Sequence, residues 1–221
     1  MKNLIREKLL PAVKGGGFFR DDLMIWCSSV IKGEDGRFHM FASCWERELG
    51  FGANWLFHSR VVRAASDTPE GPFRLEETVL PRPGREYFDG MNTHNPYIRF
   101  WNGKYYLYYI GTTYGGPIPI HASQISDQRF IEVWNQKRIG LAVSDSVFGP
   151  WQRRDTPLLD PRDCSHWDCT ITSNPAVAIL PDGTTYLLYK SRSYANATLQ
   201  IGAAMAPRPE GPFPRISAQP T

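Results

Sequence analysis

The sequence predicts an all-β fold, a β-propeller of four-stranded antiparallel blades, and three observations predict it. A short motif recurs three times along the chain. Each copy runs through an Asn-Gly or Asp-Gly turn into an alternating or aromatic strand, which is a hairpin signature. Each repeat then closes on a turn of related sequence in which Gly-Pro is followed by an aromatic residue.

Residues 1–20 come first, as a lead-in: a short amphipathic piece followed by Gly15-Gly16-Gly17, which reads as flexible. Blade one (21–80) has Asp22, then Cys27-Ser28-Ser29-Val30-Ile31, the turn Asp35-Gly36 and the strand Phe38-His39-Met40-Phe41. Blade two (81–160) has the clearest copy, Phe88-Asp89-Gly90-Met91-Asn92-Thr93-His94-Asn95-Pro96-Tyr97-Ile98, then Asn102-Gly103 and Lys104 to Ile110. Blade three (161–221) has Trp167-Asp168, then Thr172-Ser173-Asn174-Pro175-Ala176-Val177, then Asp182-Gly183 and Tyr186 to Tyr189. Taking Ser29, Pro96 and Pro175 as equivalent puts an aspartate seven residues earlier each time, at Asp22, Asp89 and Asp168.

A third strand follows in each repeat, at Arg60–Ala65, Arg138–Val143 and Leu199–Ala204, and a fourth is expected to start at Phe73, Trp151 and Phe213. The repeats are spaced by 67 residues from Ser29 to Pro96 and by 79 from Pro96 to Pro175, as whole blades require. Insertions after the second strand, Trp45 to Ser59 and Thr112 to Lys137, are where recognition is expected. The third blade stops early in its fourth strand, and three blades are fewer than the roughly four to eight of a closed ring. The chain is therefore expected to be part of a longer protein, or to self-associate through exposed blade edges.

Composition narrows the function. With 221 residues, 21% of them charged, and a net charge of +3 spread without a basic face, nucleic acid is not an expected partner. No apolar run approaches the roughly 18 residues of a membrane span, and charges at Lys2, Arg6, Glu7 and Lys8 interrupt any signal-peptide core. A cytoplasmic location is the default expectation, with no membrane partner. Cys27, Cys44, Cys164 and Cys169 lack a C-x-x-C spacing, so no zinc, no other metal and no cofactor is expected. The aromatic fraction of 13%, with Trp45, Trp55, Trp134 and Trp167 outside the core strands, suits a flat-faced ligand such as a carbohydrate.

The blade pattern, the Gly-Pro-aromatic turns and the acidic residues before the inner strands resemble the five-bladed β-propeller glycoside hydrolases, family 43 and its furanosidase and family 43-like relatives. The resemblance covers Asp22 to about Ser217 and corresponds to the first three of five blades. Trp26 to Gly36 and Thr93-His94-Asn95-Pro96 look like the less characterised subgroup in particular. It implies an oligosaccharide or glycoside as substrate, carboxylates from successive blades around a central pocket, and hydrolysis with inversion. The sequence departs from the family's motifs: blade one has Ser28-Ser29 in place of Asp-Pro, and Glu70-Gly71-Pro72 and Glu210-Gly211-Pro212 fall in turns instead of on an inner strand.

Glycoside hydrolysis uses one protonated and one ionised carboxyl group. Asp22, Asp89 and Asp168 fit that need by number, type and repeat position, with Asp21 as the rival of Asp22. The competing reading is that each closes an Asx-turn. His94 is assigned to sugar hydrogen bonding or proton donation. Asn95, Trp26, Trp167 and Arg192 complete the expected substrate-binding set, and Lys190 beside Arg192 suits an anionic group. Two further functional readings stand beside hydrolysis: a carbohydrate-binding propeller without catalysis, and a protein-interaction scaffold using the long loops.

Overall fold

The computed structural model describes residues 11–194 and 198–221. Blade one is the sheet β1 (Leu23–Lys32), β2 (Phe38–Glu46), β3 (Arg60–Ser66) and β4 (Arg74–Thr78), paired in that order. Blade two repeats it with β5 (Asn92–Trp101), β6 (Lys104–Thr112), β7 (Arg138–Ser144) and β8 (Gln152–Arg153). Blade three has β9 (Ser173–Ile179), β10 (Thr185–Ser191) and β11 (Gln200–Ala206), with a single bridge from Ala204 to Arg215 where a fourth strand would run. Every pairing within the blades is antiparallel, and β5 lies between β1 and β9, so the first strands form the inner rank.

Turn chemistry explains the hairpins. Asn102 and Gly103 both take positive φ, 47° and 79°, and join β5 to β6 through two residues. That twist matches the strands it connects, and asparagine and glycine adopt it at least strain. In blade one Lys32 pairs with Phe38 and in blade three Ile179 pairs with Thr185, leaving five-residue connections (33–37 and 180–184).

This difference in loop length corrects the alignment of the repeats. Ser29 faces Phe41, Tyr97 faces Tyr108 and Ala176 faces Leu188, so Ser28 stands level with Pro96 and Pro175. The true repeat position is the bulge just before, occupied by Cys27, Asn95 and Asn174, with φ of 47°, 49° and 51°. The two-residue turn of blade two brings its bulge one residue nearer the turn dipeptide than in blades one and three. Counting back six residues from each bulge lands on Asp21, Asp89 and Asp168, not Asp22.

Between blades one and two the core is Phe41, Val61, Ile98, Leu107, Tyr109, Ala142 and neighbours. Between blades two and three it is Tyr106, Tyr108, Leu141, Val177, Leu187, Tyr189 and Phe213. Burying each such side chain contributes about 1.5–3 kcal/mol. The outer face of blade three stays open: Leu180, Tyr186, Leu188, Ile201 and Met205 are exposed. The second half of the lead-in is not a free strand of chain, because Gly17 donates to the Glu70 carbonyl at 2.7 Å and accepts from Phe73 N–H at 2.8 Å. The first ten residues of the expected lead-in lie outside the described residues.

The two insertions carry helices that the repeat pattern did not show, Trp55–His58 and Asp127–Trp134. Ser126 caps the longer one, its Oγ accepting from Arg129 N–H at 3.2 Å. Leu56, Phe57, Met91, Val133, Trp134 and Ile171 pack together, so both insertions form one cap over the starts of the inner strands.

Candidate functional site

Asp89 and Asp168 are each satisfied within their own blade, and Asp22 by the lead-in. Asp89 is fully buried; it accepts from the Tyr109 hydroxyl at 2.7 Å and from Arg153 at 2.9 Å. Asp168 is equally buried and accepts from Tyr189 at 2.7 Å, Arg162 at 2.6 Å and Arg215 at 2.5 Å. Trp167 stacks on Tyr189 with centroids 6.0 Å apart, and Phe88 stacks likewise on Tyr109 at 6.4 Å. Aromatic, aspartate, tyrosine and arginine thus form a repeated clamp between the approach to the inner strand and the outer strands. Trp167, expected at the ligand, belongs to this clamp. Blade one has Ala42 where the others have Tyr109 and Tyr189, so no clamp forms there. Asp22 is exposed and paired with Arg20 at 2.7 Å.

The electrostatics of the two clamps differ. Burial pushes Asp89 above the ordinary carboxylate range against the opposing pull of Tyr109 and Arg153. Burial acts on Asp168 too, but hydrogen bonds from Tyr189, Arg162 and Arg215 outweigh it and hold that carboxyl below its ordinary value.

A different group converges at the start of the inner strands. Trp55, from the first insertion, meets Trp26 of β1 edge-on at 5.4 Å and His94 of β5 at 5.4 Å. Lys137, just before β7, lies 5.5 Å from the Trp55 ring and 3.6 Å from Trp134, whose ring also holds the Arg192 guanidinium at 4.3 Å. Trp26 and Trp55 belong to blade one, His94, Trp134 and Lys137 to blade two and Arg192 to blade three, so residues from all three blades meet here. Asn95 donates its backbone N–H to Ser43 Oγ at 2.8 Å, while its Oδ1 is buried without a partner. Of the expected binding residues, Trp26, His94, Asn95 and Arg192 lie in or beside this group.

Asn92 sets the state of His94. Its amide nitrogen donates to the carbonyls of Trp55 at 3.0 Å and Leu56 at 2.5 Å, which fixes its oxygen as the partner of His94 Nδ1 at 2.9 Å. Nδ1 therefore donates, and Nε2 keeps its lone pair. Burial, reinforced by Lys137 and Lys190, pulls the His94 pKa well below its ordinary value, so the ring is neutral at pH 7. The charges acting on His94, Lys137, Lys190 and Cys27 include no carboxylate among the described residues. Burial also raises the Cys27 thiol above its ordinary value, which disfavours a thiolate nucleophile.

Asn92 and Lys137 were not singled out as binding residues, and Trp55 and Trp134 only as loop tryptophans suited to a carbohydrate. Three of them come from insertions or insertion ends, where no periodicity marks a position; the signal available was tryptophans and a lysine placed in loops. A separate hollow of about 600 Å³, lined by Trp101, Tyr106, Arg154 and Glu210 among others, lies at the hairpin end of β5, opposite to His94. It is shaped by outer turns and holds none of the group above.

No family model matches the sequence, and a search of curated proteins finds no match. The fold does match solved structures. A family 117 glycoside hydrolase produced by the marine bacterium Zobellia galactanivorans superposes with a TM-score of 0.69 at 20% identity, over 90% of this chain and 58% of that one. A thermostable family-43 glycoside hydrolase matches with a TM-score of 0.58 at 20% identity over 89% and 55%. An endo-arabinase from Bacteroides thetaiotaomicron matches with 0.57 at 16% over 89% and 61%. The chain thus has the fold of the five-bladed propeller glycoside hydrolases and spans a little over half their length.

Proposed function

We propose that the chain recognises a carbohydrate at the start of its inner strands, against the wall made by Trp26, Trp55 and His94. The observation that carries this reading is the contact of those three rings, 5.4 Å between successive centroids, with the Nε2 of His94 left unprotonated by the bond at Nδ1. Aromatic faces accept the C–H faces of sugar rings, and a fixed acceptor takes a hydroxyl proton. The likeness to glycoside hydrolases supports the same ligand class; one of the similar structures is a β-xylosidase/α-arabinofuranosidase in complex with xylotriose. The test is tryptophan fluorescence and calorimetry against a panel of neutral and charged oligosaccharides. Trp55→Ala removes the central ring and is expected to abolish binding while the repeated clamps stay intact; a folded wild-type protein that binds no member of the panel rejects the reading.

Hydrolysis of a glycosidic bond is the second reading, favoured by the fold. It needs two carboxyl groups about 5–10 Å apart across the bond. Asp89 and Asp168, held by tyrosine and arginine, are its candidates in this chain together with Asp22. Release of the aryl group from aryl-glycosides by the wild type, lost in an Asp89→Asn variant that stays folded at the assay temperature, is the result that supports it.

A further inference from the structure

The cations at this site have no acidic partners among the described residues. Lys137 is 2% exposed and forms no ion pair among the described residues, although a buried ammonium ordinarily has one. It is held instead against the faces of Trp134 and Trp55. Arg192 is likewise held on the Trp134 ring, and its Nε is buried with no hydrogen-bond partner among the described residues. Ring faces stabilise a cation by about 0.5–2 kcal/mol without neutralising it. Lys190 adds a third positive group near enough to act on Lys137. Three like charges brought together in a partly buried place repel one another, and a negative group between them relieves both the repulsion and the unmet donors.

Backbone contacts make this a built arrangement, not a chance of loose side chains. Thr172 N–H donates to the Lys137 carbonyl at 3.2 Å, and Thr170 Oγ1 donates to the Arg192 carbonyl at 2.9 Å. Ser173 Oγ donates to the Lys190 carbonyl at 3.3 Å. The approach to β9 and its first residue thus tether all three cation-bearing positions to the start of one inner strand.

We propose that Lys137, Lys190 and Arg192 form a subsite for an anionic substituent, so that the carbohydrate recognised beside Trp55 and His94 is a charged one. The substituent is a carboxylate or a sulfate ester; both present oxygens to ammonium and guanidinium donors. This inference rests on the carbohydrate reading of the preceding section for its ligand, and on the cation cluster alone for its charge.

The test uses the full chain and matched pairs of probes: oligogalacturonate against its methyl ester, a sulfated galactan oligosaccharide against its desulfated form, and inorganic sulfate alone. Binding is read by tryptophan fluorescence and calorimetry at two salt concentrations. At least one charged member is expected to bind about tenfold or more tightly than its neutral partner, with affinity falling as salt rises, since one charge-assisted hydrogen bond is worth that factor. The pair that shows the difference identifies the substituent. Lys190→Gln and Arg192→Gln are each expected to reduce the advantage of the charged partner about tenfold. Equal affinity for charged and neutral partners overturns the anion subsite and leaves the carbohydrate reading standing. A response to inorganic sulfate that Arg192→Gln removes, with no binding of any sugar, keeps the subsite and overturns the carbohydrate reading. No response to any probe by the folded protein overturns both.

Discussion

The side-chain amide of Asn92 determines which nitrogen of His94 carries the proton. Because Asn92 Nδ2 is committed to the carbonyls of Trp55 and Leu56, its oxygen meets His94 Nδ1 at 2.9 Å and leaves Nε2 as the acceptor. One residue thereby joins the insertion of blade one to the inner strand of blade two. Asn92→Ala leaves two buried carbonyls and one imidazole N–H without partners and is expected to cost about 2–4 kcal/mol in chemical denaturation, with carbohydrate binding lost. Asn92→Asp puts a carboxylate beside Nδ1–H and is expected to raise the His94 pKa, read from its ring resonances by NMR. An unmoved pKa would show that the amide does not hold the ring.

The aspartate clamps predict opposite pH dependence in two copies of one motif. Asp168 has its pKa lowered in the folded state, so its contribution is present above the ordinary value of 3.8 and is lost as pH falls through the folded value. Asp89 has its pKa raised, so the unfolded chain ionises first and stability falls as pH rises from 3.8 through the folded value. Burial raises both carboxyls and the tyrosine bonds oppose it in each, but Asp168 has two arginines, Arg162 and Arg215, against Arg153 alone at Asp89. Asp168→Asn is expected to cost about 3–5 kcal/mol at pH 7, and Asp22→Asn less than about 1 kcal/mol because its pair with Arg20 is exposed. Urea denaturation of Asp89→Asn and Asp168→Asn between pH 3 and 7 (a range set by the carboxylate values) should give differences from wild type of opposite slope.

Blades were legible in the sequence because repetition states the same physical problem three times. Asn102-Gly103 announced its turn, and the Gly-Pro-aromatic segments announced the approach to the fourth strands. Recurrence was a poorer guide to the site, since a residue recurs when every blade needs it, as Asp89 and Asp168 do for their tyrosines. His94 broke the repeat and does lie in the convergent group. Trp55 was marked only as a loop tryptophan suited to a carbohydrate and Lys137 not at all, because their positions depend on how two insertions pack on each other and no local pattern encodes that contact.

Cys27 occupies the bulge that Asn95 and Asn174 occupy in the other blades, at φ 47°. Asparagine tolerates this region, whereas a cysteine there carries backbone strain. Cys27→Asn is expected to stabilise the chain by about 1 kcal/mol, measured by thermal or urea denaturation. A loss of stability would mean that the thiol's packing near Lys190 outweighs the relief of strain.

The open face of blade three should govern solution behaviour. Tyr186 and Leu188 alternate outward from β10 beside Ile201 and Met205 of β11, which makes a contiguous apolar surface. The 221-residue chain is expected to bind a hydrophobic dye and to self-associate with rising concentration in light scattering. Leu188→Lys with Met205→Lys is expected to suppress both; a monodisperse wild type without dye binding would show that the face is covered.

Lys137 sets binding against stability. Its ammonium is buried on two indole rings with Lys190 and Arg192 nearby, and burial first, then those charges, lowers its pKa well below 10.5. The unfolded chain then holds more protons than the folded one between the folded value and 10.5, so stability rises with pH across that window. Lys137→Met keeps the unbranched shape and removes the charge. It is expected to raise stability at pH 7 by about 1–3 kcal/mol and to flatten the pH slope, while the preference for charged sugars disappears. Should the variant be less stable than wild type, the ammonium must have an acceptor that compensates for its burial, and the cation cluster would then be already satisfied without a ligand.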